Sequence, residues 1–192
     1  MELDIADDST ISSATAQITK DFGYLDVLVN NAGIAANQEE VDREILRKVF
    51  ETNVFGTMLL SNALMPLLKE SARPKIVNVS SVMGSIAMKL DTSVPFHQVG
   101  VEVYRMSKAA VNMLSAHQQT VMKEFGGLAF SYCPGRVATN LDGGADLSEE
   151  ERRNAGMDTP EFSAKGLAEV VEGKRDSEVG KFIASRNLQH PW

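Results

Sequence analysis

One cysteine, Cys133, stands among 192 residues, so neither an internal disulfide framework nor a cysteine-rich metal site is available, which fits a reducing, cytoplasmic setting. Basic side chains are in deficit, 19 against 26 acidic, and the formal charge of −7 at pH 7 repels a phosphate backbone or an anionic bilayer. Nucleic-acid binding is therefore disfavoured. Apolar runs are short, such as Val27-Leu28-Val29 and Ile86-Ala87-Met88, against the roughly 20 residues a helix needs to cross a bilayer. The stretch 1–6 carries acidic residues and no basic, apolar leader, so no targeting segment and no membrane association are expected. His97, His117 and His190 lack metal-ligand spacing, and no metal is expected.

The remaining composition, 43% apolar and 23% charged, is enough for one domain with a sizeable core. Three runs rich in β-branched residues and bounded by turn formers read as buried strands: Val27–Asn30, Lys75–Val79 and Leu128–Cys133. Helical spacing fills the stretches 9–22, 41–70 and 103–125. Strands joined by helical crossovers cannot pair as hairpins, so the expected fold is α/β, a doubly wound parallel sheet. A fragment at 181–183 is expected to add an edge strand with 187–192 as a tail, and 141–161 reads as a mobile loop or a short exposed helix.

In such sheets ligands gather outside the carboxyl ends of the strands. The residues there are Asn30-Asn31-Ala32-Gly33, Ser80-Ser81 and Pro134-Gly135-Arg136-Val137-Ala138-Thr139. Small side chains at 31–33 let a flat ligand approach the backbone, while the asparagine amides can tie neighbouring strand ends together. Tyr104 and Lys108, four apart on a helix, share one face, so phenol and ammonium can converge. Lowering a phenol from pKa ~10 by about 3 units corresponds to roughly 4 kcal/mol of preference for phenolate, part of which a nearby ammonium supplies. Alone, Tyr-x-x-x-Lys is also a common solvated helix face, and Asn-Ala-Gly an ordinary turn. Cys133 reads as a small buried filler. Of the methionines at 83, 88, 106, 113 and 122 only Met83, just behind Ser81, suggests a substrate contact.

Five motifs in order change that balance: Asn30-Asn31-Ala32-Gly33, Asn53 in Thr52-Asn53-Val54-Phe55-Gly56, Val77-Asn78-Val79-Ser80-Ser81, Tyr104-Arg105-Met106-Ser107-Lys108, and Pro134-Gly135 with Thr139. The set, spanning 3–139, resembles the short-chain dehydrogenase/reductase family, and the ending resembles a fungal carbonyl-reductase-like branch. The resemblance implies an NAD(P)-dependent oxidoreductase interconverting a small-molecule carbonyl and a secondary alcohol, with a place in secondary metabolism. It implies Tyr104 as general acid or base, Ser81 as holder of the substrate oxygen in preference to Ser80, Lys108 as modulator of the tyrosine and partner of the nicotinamide ribose, and Asn53 as holder of a relay water. By the same resemblance Asp4 and Ile5 flank the adenine, Asn31, Ala32 and Gly33 line the adenosine ribose, and Pro134, Gly135, Val137 and Thr139 contact nicotinamide and phosphates. The cofactor would be NADP (or NAD), with NADP favoured by carbonyl-reductase-like relatives. A homodimer or homotetramer would use the helices 41–70 and 103–125.

One family signature is absent. None of the 14 glycines satisfies Thr-Gly-x-x-x-Gly-x-Gly or Gly-x-Gly-x-x-Gly, the turns that place a pyrophosphate on a helix N-terminus. Residues 1–5 resemble the end of the family's third strand, so the domain reads as a partial one, 1–192, incomplete on its N-terminal side, with Val27–Asn30 at an open edge. Weak or no dinucleotide binding is the expectation. A catalytically inactive, truncated remnant serving as an interaction module is the alternative; a flavodoxin-like binding protein shares the alternation but leaves the ordered Asn, Ser, Tyr and Lys unexplained. The spacer between Ser81 and Tyr104, with 90–101 inside it, is expected to form part of a substrate wall.

Overall fold

The structure, a computed structural model, describes residues 1–36, 41–141 and 144–192. Helix α1 (Asp8–Asp21) starts at Asp7, whose carboxylate accepts the Ser9 N–H, and buries Ile11 and Ala14. Strand β1 (Val27–Asn30) follows, then α2 (Arg43–Phe50), started by the Asp42 carboxylate on the Ile45 N–H. The expected single helical stretch 41–70 is interrupted: Glu51–Gly56 is a π-turn, after which α3 (Thr57–Lys69) resumes. Strand β2 (Lys75–Val79), α4 (Ile86–Leu90) and the 22-residue α5 (Glu102–Lys123) lead to β3 (Leu128–Cys133).

Beyond β3 the structure departs further from the sequence reading. Within 141–161, of which 142 and 143 lie outside the described residues, α6 (Glu149–Asn154) begins with a reciprocal capping box between Ser148 and Glu151. Helix α7 (Pro160–Val171) was not anticipated, although Thr159 as N-cap and Pro160 at the first position announce it. Strand β4 is Phe182–Ala184. The expected tail contains β5 (Gln189–His190), antiparallel to β4: left-handed Arg186 and Asn187 turn the chain back, and the Trp192 ring beyond β5 stacks on Phe182 at 5.5 Å.

The sheet runs β1-β2-β3-β4-β5, with the first four strands parallel and β1 at the edge. Successive residues feed opposite cores: Ile76 and Ala129 pack with Leu60, Leu64, Leu68 and Met122, whereas Val77 and Phe130 pack with Tyr132, Val170 and Ile183. Helices therefore cover both faces, the doubly wound arrangement expected from strand-helix alternation. Register aligns Asn30 with Asn78 and Asn78 with Ser131, so the carboxyl ends of β1, β2 and β3 form one rim. No described helix is long and apolar enough to cross a membrane.

Candidate active site

The rim is tied together by amides. Asn30 Nδ2 donates to Asn78 Oδ1 at 2.7 Å and to Ser61 Oγ at 2.9 Å, and Asn78 Nδ2 donates to Ser115 Oγ and Gln118 Oε1 at 2.9 and 2.7 Å. All five side chains are buried, so β1, β2, α3 and α5 are locked by bonds that no water competes for.

Tyr104 and Lys108 lie on the inward face of α5, both buried, with Lys108 Nζ 5.6 Å from the centre of the Tyr104 ring. Lys108 reaches the end of β2 and donates to the Val79 carbonyl at 2.8 Å. Its two other N–H donors have no protein acceptor among the described residues. Burial pushes the ammonium down to about 8, opposed only by the neighbouring Cys133 thiol. The loop after β1 reaches the same place: a Cβ on Gly33 would lie 3.4 Å from both Lys108 Nζ and Asn53 Oδ1, so the small residue leaves space between these groups.

Asn53 sits in the π-turn, a register shift that points its side chain away from the helix path and toward the loop. Its amide is more occupied than the sequence reading supposed. Nδ2 donates to the Ile34 carbonyl and to Ser107 Oγ, both at 2.9 Å, and Oδ1 accepts the Ile34 N–H at 2.8 Å. Ser107 Oγ in turn donates to the Tyr104 carbonyl at 2.8 Å. Asn53 thus fixes the loop after β1 against the turn of α5 that bears Tyr104; Ser107, absent from the candidate set, completes the link.

The two serines after β2 differ. Ser80 is fully buried, its Oγ 2.6 Å from Asn112 Oδ1 and 3.3 Å from the Lys108 carbonyl. Ser81 is half-buried and its Oγ accepts the Met83 N–H at 3.2 Å, leaving its own proton uncommitted among the described residues. The turn bearing Ser81 rests on α5: a Cβ on Gly84 would lie 2.6 Å from the Lys108 carbonyl carbon, an approach only glycine permits. Cys133 holds the other side of that turn, its Sγ accepting the Val82 N–H at 3.2 Å, and burial raises its thiol above the ordinary value. It is a support for the Ser81 turn as well as a filler.

The outer candidates are dispersed. Asp4 is exposed, and its Oδ1 accepts the Ala6 N–H at 2.9 Å, part of the turn that opens α1. Ile5 is buried in the core beside Ile11 and Leu60, so its side chain is not available to flank a ligand. Asn31 and Ala32 are exposed beside the rim. The segment 134–139 is anchored through Ser163 Oγ on the Pro134 carbonyl at 3.2 Å and through Asp158, whose backbone pairs with Arg136 and Ala138 at 2.7 and 3.0 Å. Val137 and Thr139 are half-buried and Gly135 exposed. No cluster of three or more His, Cys, Asp or Glu suited to a metal ion occurs among the described residues.

Comparison with known proteins matches residues 1–150 to the short chain dehydrogenase family. The chain is 31% identical to the short-chain dehydrogenase/reductase eupG of Phoma sp., covering 99% of this chain and 75% of that protein. It is 35% identical to the short-chain dehydrogenase anuI of Penicillium roqueforti, covering 96% and 72%. Among solved structures, the NADPH-bound carbonyl reductase from chicken fatty liver superposes with a TM-score of 0.84 at 28% identity, covering 99% of this chain and 75% of that one.

Proposed function

The chain belongs to the short-chain dehydrogenase/reductase family of oxidoreductases, and from that premise we propose that it interconverts a small-molecule carbonyl and a secondary alcohol with a nicotinamide cofactor, NADP in preference to NAD. The observation that carries the reading is the buried Lys108 ammonium beside Tyr104, with two donors uncommitted and the Ser81 hydroxyl on the adjoining turn.

In reduction, Ser81 donates its uncommitted proton in a hydrogen bond to the substrate carbonyl oxygen, and Tyr104 transfers its phenolic proton to that oxygen. Lys108, largely protonated at neutral pH with its value at about 8, stabilises the phenolate left behind. Its position in a buried site makes that charge count for more than it would in water. Asn53 holds Tyr104 and the loop after β1 in mutual register, and the second lone pair of its Oδ1, facing the space beside Gly33, can take a relay water.

The residues present fit the nicotinamide and ribose half of the cofactor. Lys108 offers its uncommitted donors to ribose hydroxyls, Gly33 leaves room beside them, and 134–139 line the same rim. The cofactor, when bound, supplies or accepts the hydride. For the pyrophosphate the sequence given holds no glycine turn, so the affinity for NADPH is expected to be weak, and a titration giving micromolar affinity for a folded monomer of these 192 residues overturns that expectation. A cytoplasmic setting and a place in secondary metabolism belong to the same proposal, the latter supported by the fungal sources of the two relatives.

A second reading, a non-catalytic module that pairs through its helices as a homodimer or homotetramer, is supported by the exposed apolar side chains Phe55, Met58, Leu59, Met106 and Met113, of which Met113 is 71% exposed. Turnover at millimolar cofactor separates the two. The enzyme reading expects activity that Tyr104→Phe lowers by at least a hundredfold with an unchanged melting temperature. Undiminished turnover in that variant removes Tyr104 from the mechanism, and a stable homodimer without turnover supports the second reading.

A further inference from the structure

Arg105, next to Tyr104, is buried and has no carboxylate within reach among the described residues. Its guanidinium is met by backbone alone: Nε donates to the Val99 and Gly100 carbonyls, each at 3.1 Å, Nη1 to the Met83 carbonyl at 3.2 Å, and Nη2 to the Phe96 carbonyl. One rigid fork therefore joins the loop before α5 to the turn that carries Ser81. The loop is strained where it enters the helix. Val101 is left-handed, φ 57° and ψ 46°, a conformation that a β-branched residue adopts only when its surroundings impose it. Those surroundings are the Arg105 bonds on the two preceding carbonyls and the Arg105 N–H on the Val101 carbonyl at 3.0 Å.

The fork also has an apolar side. Met83 and Phe96, whose carbonyls it holds, pack with Met88 against the cluster of Val82 and Cys133 beneath Ser81. Lys89 Nζ reaches the His97 carbonyl at 2.9 Å and closes the loop on α4.

We propose that Arg105 and left-handed Val101 form a latch that holds 96–100 on the turn bearing Ser81, and that Arg105 is the positioning residue that fixes that turn against the face of α5 bearing Tyr104. The importance of the Ser81 turn rests on the reaction reading above; the latch itself does not. Arg105 touches neither the reacting atoms nor the cofactor; it acts through Met83 and Phe96.

The test uses the 192-residue chain and needs no turnover. Hydrogen–deuterium exchange follows the amides of 91–100 and those of 83–85 in the turn bearing Ser81. In Arg105→Met the exchange of 93–100 and of 83–85 accelerates at least tenfold while β2 and β3 stay protected. Arg105→Lys, which keeps the charge but cannot span four carbonyls, recovers part of both effects. Val101→Gly, which takes the left-handed conformation without strain, keeps the latch and serves as the second variant should Arg105→Met not fold. Unchanged exchange in Arg105→Met or accelerated exchange at 93–100 in Val101→Gly overturns the latch, and unchanged exchange at 83–85 in Arg105→Met overturns the positioning of the Ser81 turn. Persistence of turnover in Tyr104→Phe leaves the exchange result standing, so failure of the reaction reading and failure of the latch are told apart.

Discussion

Strand β2 has a buried lysine at each end, and the two ends use it in opposite ways. Lys75, its first residue, places Nζ 2.6 Å from Asp176 Oδ1 and 2.7 Å from the Val170 carbonyl at the end of α7, where a helix favours a cation. Lys108, arriving from α5 at the last residue, finds the Val79 carbonyl and burial, which pushes it down to about 8. The arginines repeat the contrast. Arg175 is raised by Glu178, which is itself pushed down to about 2, whereas Arg105 is met, among the described residues, only by carbonyls and is lowered by burial. Lys75 and Arg175 are neutralised where they join elements together; Arg105 joins elements through carbonyls alone among the described residues, and Lys108 keeps its charge at the rim, where a reaction can use it.

Exchanging either lysine for methionine breaks this comparison most directly. Lys75→Met leaves Asp176 and the α7 carbonyls without their cation and is expected to cost about 2–4 kcal/mol of stability, with any turnover intact, read from denaturant titration. Lys108→Met removes a buried charge that has no counter-ion among the described residues. It is expected to gain roughly 1–3 kcal/mol while lowering turnover by about two to four orders of magnitude. If Lys108→Met destabilises as Lys75→Met does, Lys108 is a staple too, and the distinction falls.

Acidity sharpens the same contrast. Because folding lowers Lys108 from its ordinary 10.5 to about 8, the unfolded chain binds more protons between those values, and stability must rise with pH there. The cost of burial is fully present below pH 8 and is relieved as the proton leaves. Cys133, raised above its ordinary 9.0, and Tyr132, pushed up to about 12, work the other way at higher pH, so the clean window is pH 8 to 9. Stability is expected to climb by roughly 1 kcal/mol across that unit. Turnover is expected to fall over the same unit as phenolate stabilisation is lost. A thermal-shift series paired with a rate profile checks the crossing; a flat stability curve, or a rise that persists in Lys108→Met, excludes Lys108 as its source.

The sequence was most readable where local chemistry and tertiary environment agree. The runs at 27–30, 75–79 and 128–133 are β-branched, apolar and flanked by turn formers, and each became the strand expected. The four-residue spacing of Tyr104 and Lys108 was enough to place them on one helix face. The π-turn at Glu51–Gly56 was hidden because one extra residue per turn leaves the apolar spacing of 41–70 nearly unchanged. Strand β5 was hidden because two polar residues acquire strand geometry only from β4 and from the Trp192 stack on Phe182. The Arg105 fork depends on where 96–100 fold back, which no periodicity encodes. Helix α7 is a different case, since Thr159-Pro160 was a legible start.

The smallest expected effects separate adjacent residues. Ser80 and Ser81 follow β2 with identical chemistry, yet Ser80 is consumed by Asn112 and the Lys108 carbonyl while Ser81 keeps its proton. Ser80→Ala therefore leaves a buried Asn112 oxygen with one partner fewer, Ser131 Oγ at 2.7 Å remaining, and is expected to cost about 1 kcal/mol of stability with little change in rate. Ser81→Ala gives up only an acceptor for the Met83 N–H, so stability stays within about 0.5 kcal/mol. Its rate, however, loses one oriented donor to the substrate oxygen, about tenfold or more in kcat/KM. A reversed pattern, with rate lost at Ser80 and stability at Ser81, would move the substrate oxygen to the inner serine and require the Asn112 contact to open during turnover.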